Sequence, residues 1–294
     1  MIWHAAAARP VLLGLGSAAA WGAADFAGGL ATRRARPGTV VLIAHGVSLL
    51  LLLLAGALLH APALPRAQTA EALLSGVAGG IGLMLFYRAL ALGLMGLTAA
   101  LAGLVTTILP VTLAVVTEGW PGAWQLAGFA VAAGAIVMIA ATRSERPEHA
   151  GGRTTALAVL AGLGFGLQLV LLHASLGTTD AAATGMIRAL TFSRVGGTAA
   201  ALLALGLARS ATTLPARGRS FLLLASLAGV LDSLGNLLYM RASLTGRLDV
   251  AAVLSSLYPA ATILLAAWLL KERTTRAQAV GMALALIAVV LISR

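Results

Sequence analysis

Apolar residues run in long blocks along this chain, and polar residues fall in short gaps between them. A bilayer-spanning helix takes ~20 mostly apolar residues. Ten blocks meet that length, over approximately 11–31, 39–60, 70–91, 94–117, 121–142, 154–175, 182–207, 219–242, 249–270 and 275–293. The gaps carry Arg, Pro, Gly or Thr, and only "ATRSERPEHAGGRTT", residues 141–155, is long enough to be a linker. It lies near the midpoint and divides the chain into 1–145 and 146–294.

Within the eighth block the pattern splits by face. Ala225, Gly229, Asp232, Asn236, Tyr239 and Ser243 recur at helical spacing, while Leu223, Leu227, Leu231, Leu234 and Leu238 cover much of the opposite side. A carboxylate at the bilayer centre costs at least ~2.5 kcal/mol, so such groups point inward, pair, or line a pathway. Asp232 admits two readings. It forms a structural ion pair with Arg194, which lies at similar depth in the seventh block, or it faces a cavity and binds a substrate ammonium or a proton.

The two halves match each other. Moving the second half back by 153 residues superimposes blocks 8 to 10 on blocks 3 to 5 without gaps. Arg88, Gln125 and Gly128 then meet Arg241, Gln278 and Gly281, identities harder to dismiss than those among alanines. At an offset of 144, "AAAWG" ending at Gly22 falls on "GLGFG" ending at Gly166. This match argues against reading the N-terminus as a cleaved signal peptide, despite its small residues. Each half is therefore five helices. Five is odd, so two copies in one chain lie in opposite orientations. Loops after blocks 1, 3, 5, 7 and 9 collect thirteen Lys or Arg residues, against five on the other side. The positive-inside rule makes the first side cytoplasmic and puts both termini outside.

Composition supports lipid as the solvent. The chain is 60% hydrophobic and only 10% charged, with mean hydropathy +0.98, where soluble domains carry roughly 25% charged residues. The net charge of +11 comes from loop arginines and does not point to nucleic acid. With no cysteine there is no disulfide framework and no thiolate metal site. GxSxG, HExxH and clustered metal ligands are missing, so neither an enzyme, a metal nor a cofactor is expected. "GLGSAA" at 14–19 is half of a dinucleotide fingerprint, but without a flanking strand it reads as a packing face.

The segment "FYRALALGLMGLTAALAGLVTTILP" followed by "EGWPGAWQLAGFAVAAGAIVMIA" resembles the five-helix unit of the drug/metabolite transporter superfamily, as does "YMRASLTGRLDVAAVLSSLYPAATILLAAWLLKERTTRAQAVGMALALIAVVLI". The second copy carries the fuller pattern, with Pro259, Glu272, Gln278 and Gly281; the first has Pro110, four positions displaced, and Gly119 where Glu272 maps. The resemblance covers nearly the whole chain and is to EamA-type, ten-helix members. It implies an all-α integral membrane protein, ten transmembrane helices in two inverted five-helix repeats. It also implies a secondary transporter of the bacterial inner membrane that exports small metabolites. Amino acids are the first substrate class, as in the YddG-type exporters. The partners expected are that small-molecule substrate and the lipid bilayer, with no nucleic acid, and a monomer is sufficient. A multidrug exporter is the alternative within transport; a membrane enzyme or scaffold is the alternative outside it.

Candidate site residues follow from depth and polarity. Trp21 lies deep in the first block and reads as a cavity wall or as packing. Asp25, nearer the end of that block, is expected to meet Arg33 or the following loop. His45 could titrate near neutral pH. Tyr87, Gln168, His173, Asn236, Tyr239, Ser255, Ser256 and Tyr258 could donate or accept hydrogen bonds. Pro259 frees the carbonyl of Ser255 one turn earlier. Arg188 is expected to snorkel to the outer interface or to pair with Asp180, and Trp120, Trp124 and Trp268 to anchor at the interface.

Overall fold

The structure is a computed structural model that describes residues 2–92, 95–140, 152–177, 183–207, 219–271 and 275–294. Most of the 141–155 linker lies outside them, as do Asp180, Glu272, Arg143, Arg146, Arg209, Arg217 and Arg273.

In lipid no water is present to pair with the backbone, so each apolar block satisfies its N–H and C=O groups internally as a helix. The helices are α1 (Ile2–Thr32), α2 (Pro37–Leu58), α3 (Arg66–Ala91), α4 (Met95–Glu118), α5 (Ala123–Ala140), α6 (Gly152–Ala174), α7 (Ala183–Leu207), α8 (Arg219–Thr245), α9 (Leu248–Ser255), α10 (Tyr258–Leu269) and α11 (Arg276–Ile292). Among the described residues eight spans are long and apolar enough to cross a membrane, the last of them Leu248–Leu269 across α9 and α10. α5 and α11 are apolar but shorter, at 18 and 17 residues. This is the build of a multi-pass membrane protein.

One expectation is corrected. The block 249–270 is not one helix: α9 stops at Ser255 and α10 starts at Tyr258, with Pro259 in its first turn, where its missing N–H removes no helical bond. Pro110, by contrast, sits inside an uninterrupted α4. The first helix runs from Ile2 with Pro10 within it, and its apolar span, Arg9–Thr32, agrees with the block at 11–31.

The helices turn leucine outward and small residues inward. Leu223, Leu227 and Leu234 are exposed on α8, while Ala225, Gly229, Asn236, Tyr239 and Ser243 are buried. Leu231 and Leu238 are half-buried, and Leu238 packs toward Gly16 of α1. In a bilayer, helices gain little from hiding leucine, so close contact between small residues carries the packing. The α3–α7 crossing shows this: a Cβ on Gly76 would overlap the backbone carbonyl of Ser193.

The packing scheme has an exchange symmetry. α1 packs on α8, and α3 on α6; α2 packs on α8, and α3 on α7; α4 packs on α6, and α1 on α9 and α10. Counting α9 and α10 as the ninth segment and α11 as the tenth, adding or subtracting five converts the first of each pair of contacts into the second. α2–α7 and α5–α11 are their own counterparts.

One end of the bundle gathers the α2–α3, α4–α5 and α8–α9 connections. There Arg188 of α7 donates to the carbonyls of Ala61 and Pro62, at 2.6 and 3.2 Å. Arg247, between α8 and α9, pairs with Asp249 (Nη2 to Oδ2, 2.8 Å) and donates to the Gly119 carbonyl beyond α4 (2.8 Å). The Glu118 carboxylate accepts from the Leu248 N–H at 3.2 Å and lies 3.9 Å from Arg247. Trp120, Trp124 and Trp268 are all exposed at helix ends, and Arg294 stacks over Trp124. At the opposite end Arg34 donates to Ser220 at the start of α8.

Candidate functional site

Polar side chains converge midway along the bundle, on a cavity of about 50 Å³. α1 contributes Trp21 and Asp25, α2 His45, α3 Gly79 and Leu83, and α4 Thr106. From the second half come Phe165, Gln168 and Leu169 on α6, Arg194 on α7, Asp232 on α8 and Tyr258 on α10.

Arg194 is the centre of this site. It is 2% exposed, and its Nη2 lies 2.5 Å from Asp232 Oδ2. Its Nε donates to Ser233 Oγ (3.2 Å), and its Nη1 lies 3.3 Å from His45 Nε2. A guanidinium only donates. His45 Nε2 must therefore accept, which puts the ring proton on Nδ1. The chain of contacts continues along α8: the Asn236 amide donates to the Asp232 carbonyl (2.7 Å) and to Oδ1 (3.3 Å). Gln168 Nε2 then donates to Asn236 Oδ1 at 3.0 Å. Four helices, α2, α6, α7 and α8, are thus tied through one polar network at mid-depth. Breaking a buried ion pair from one side strands the other charge and costs ~3–5 kcal/mol.

Aromatic rings close the site. Trp21 and Tyr239 have centroids 6.0 Å apart, and the Tyr239 hydroxyl donates to the Leu169 carbonyl at 3.3 Å. The indole lies over Gly235, where a Cβ would not fit. Tyr258 donates to the Ala99 carbonyl at 3.3 Å, bridging the helix break to α4. Phe165 meets Phe86 edge-on, with centroids 5.7 Å apart.

The structure thus brings Trp21, His45, Gln168, Arg194, Asp232 and Tyr258 onto the cavity. Asn236 and Tyr239 stand directly behind it. Tyr87 and Ser255 do not line it: the Tyr87 hydroxyl packs on Gly28, and Ser255 Oγ donates to the Gly14 carbonyl at 3.4 Å. His173 pairs with Ser243 at 3.0 Å, away from the cavity. Asp25 is a correction. It lines the cavity and makes no ion pair with Arg33 among the described residues. Trp21 and Asp25 are one helical turn apart and share a face, whereas Arg33 is eight residues on, roughly 12 Å along the axis.

Gly79, Leu83, Thr106, Phe165 and Leu169 were not among the sequence candidates. The repeat offsets held a signal for three of them: 144 places Phe165 on Trp21 and Leu169 on Asp25, and 153 places Gly79 on Asp232. Thr106 is four residues before Pro110, so its carbonyl lacks the usual helical donor.

A membrane-embedded bundle with a mid-depth cavity that sets a few polar groups in an apolar wall has the build of a protein that handles a small solute. Residues 152–294, from α6 to α11, match the EamA-like transporter family. No curated protein matches the chain. A solved structure titled "Crystal structure of protein" superposes with a TM-score of 0.72 at 16% identity, covering 97% of this chain and 96% of that one. At that identity the likeness establishes the fold over the full length.

Proposed function

We propose that the whole chain is a secondary transporter of the drug/metabolite transporter superfamily, with ten spans in two inverted five-helix repeats that rock about the central cavity. The observation that carries this reading is the cavity itself, lined at mid-depth by both halves, with Arg194 of the second half meeting His45 of the first. Inverted-repeat transporters place their sites at that depth, between the repeats. The exchange of packing partners between the halves supports the repeat, and the family match over 152–294 supports transport. The joint at Ser256–Leu257, beside the cavity residue Tyr258, gives a hinge of the broken-helix kind.

The substrate is a small metabolite, amino acids first, moved out of a bacterial cell through its inner membrane, as in the YddG-type exporters. Trp21, His45, Gln168, Tyr258 and Asp232 bind it, with Asn236 and Tyr239 supporting them from behind. The Asp232–Arg194 pair is the coupling element, and one chain supplies both repeats. A cavity of about 50 Å³ fits only a small group, so larger substrates require it to open.

The test is uptake of a labelled amino-acid panel into proteoliposomes by the wild type and by Asp232→Asn. Flux that falls about tenfold or more in the variant supports both the transporter reading and a working role for Asp232. Equal flux leaves the transporter and reduces Asp232 to an ion pair. No flux of any amino acid, drug or other metabolite discards the reading in favour of a membrane enzyme or scaffold.

A further inference from the structure

A second hollow, of about 320 Å³, opens on the flank of the bundle between α4, α5 and α9. From Leu104 to Thr112, α4 forms one wall; from Phe129 to Ile136, α5 forms another; Val253 and Ser256 of α9 form the third. Among the described residues no charged side chain lines it. The side-chain donors on its wall are three hydroxyls, and each is spent on its own helix. Thr107 donates to the Leu104 carbonyl, Thr112 to that of Ile108 and Ser256 to that of Val253, all at 2.7 Å. A trapped water needs about two to four polar partners, and apolar cavities stay dry. The occupant this wall suits is hydrocarbon.

Shape narrows the choice. At 1.5 Å per residue α4 runs roughly 12 Å along the hollow, which leaves a cross-section of about 27 Å². A helix about 10 Å across needs ~80 Å². Neither a span of a second copy nor another helical partner fits inside. A single extended chain does. The open side faces the bilayer, where Ile108 is 53% exposed and Thr112 is exposed. Depth agrees. Thr112 lies six residues before Glu118, and Phe129 six after Ala123. The hollow therefore starts roughly 9 Å below the Arg247 end of the bundle and reaches to roughly 21 Å. In a hydrocarbon core ~30 Å thick, that is where the tails of one leaflet end.

The hollow and the central cavity share a wall. Thr106 and Tyr258 line the cavity, while Thr107 and Ser256 line the hollow. Between them is the joint where α9 stops at Ser255 and α10 starts at Tyr258. α4 meets that joint closely: a Cβ on Gly103 would come within 3.2 Å of the Ser256 carbonyl oxygen. We infer that the hollow is a binding site for one phospholipid acyl chain, which braces the α9–α10 joint from the bilayer side. The chain is held by fit and the headgroup is not selected, since Arg247 at that end is already engaged by Asp249 and the Gly119 carbonyl. The site stands without the transporter reading.

The test separates chain from headgroup. Native mass spectrometry of the full chain released from detergent counts retained phospholipid, and thermal unfolding in the same detergent reads the brace. Dioleoylphosphatidylcholine should be retained and should raise the midpoint, as a ligand of the folded state does. Dioleoylphosphatidylglycerol should act alike. Dihexanoylphosphatidylcholine, whose chains end short of the hollow, should bind about tenfold more weakly or worse. Ala133→Phe puts a ring into the hollow and should cut retention about tenfold and remove the rise. Val137→Phe, on the exposed face of the same helix, should change neither. The site falls if the short-chain lipid is retained as well as the long one, if retention follows the headgroup, or if Ala133→Phe keeps its lipid. It falls too if the lipid-free chain dimerises and Ala133→Phe abolishes the dimer, since a second copy would then cover the hollow. Should Ala133→Phe fail to fold, the chain-length series on the wild type decides. Loss of the site leaves the transporter reading as it stands, and absence of flux leaves the site as it stands.

Discussion

Trp21 and Phe165 face the cavity from α1 and α6, 144 residues apart; Gly79 and Asp232 face it from α3 and α8, 153 residues apart. Asp25 and Leu169 form a third such pair. In each pair both members line the cavity, and their chemistry differs. One member is polar or charged, and the other is apolar or has no side chain. The physical reason lies in the sum of charges. Repeating Asp25 and Asp232 in the other half would put four carboxylates around one arginine in a site largely shielded from water. The helix breaks divide in the same way. Pro259 opens a new helix, while Pro110, four positions displaced, leaves α4 whole.

Substitutions that erase this contrast should differ widely in effect. The largest is Arg194→Ala, which strands Asp232 and should destabilise the protein by ~3–5 kcal/mol in detergent unfolding. Adding Asp232→Leu should recover much of that loss; no recovery would mean that Arg194 acts by packing rather than by charge. Next is Gly79→Ala, a first step toward the side chain carried at 232. Its Cβ would collide with the Gln168 amide and break the bond to Asn236. A loss of ~1–3 kcal/mol is expected, as for other overpacked sites. An unchanged midpoint would show that Gln168 has room to swing aside.

The prolines come third. Pro110→Ala restores a helical donor for the Thr106 carbonyl and should raise stability by about 1 kcal/mol, in the range of a net hydrogen bond. Pro259→Ala should leave stability nearly unchanged, because Pro259 sits where no helical bond is lost. A reversed order would count against Pro259 as the cause of the break. A comparably small effect belongs to Trp21→Phe, which makes the two α1/α6 positions alike. The ring still faces Tyr239, so the change should stay below ~1.5 kcal/mol, the scale of an aromatic pair. Substrate affinity measured in the same variant tells whether the larger indole is needed for binding.

Much of the helical layout was legible because lipid leaves the chain few choices. Long apolar blocks become helices, and the period of 3.6 sorted α8 into its leucine side and its polar side. Depth along neighbouring helices was enough to bring Arg194 beside Asp232 as candidate partners. The break at Ser256–Leu257 was not legible, since Pro110 and Pro259 look alike in sequence and differ only in what lies around them. Asp25 was misplaced because the nearest arginine in sequence drew more weight than the face it shares with Trp21. The link from Gln168 to Asn236 joins residues 68 apart, and no local pattern announces it.

Arg247 carries a consequence for when the cavity can be reached. It closes one end of the bundle by holding the last residues of α4 to the first residues of α9, one helix from each half. Its hydrogen bonds to Asp249 hold the guanidinium above its ordinary range, so a change of pH does not undo the closure on the arginine side. Dissolved salt does reach it, because the side chain is 25% exposed and the Debye length at physiological ionic strength is ≈ 8 Å. Under the proposed alternation between two openings, the balance between them becomes a function of the ionic medium on one side of the membrane. Under that proposal, brine on that side would shift the balance without any change in the substrate.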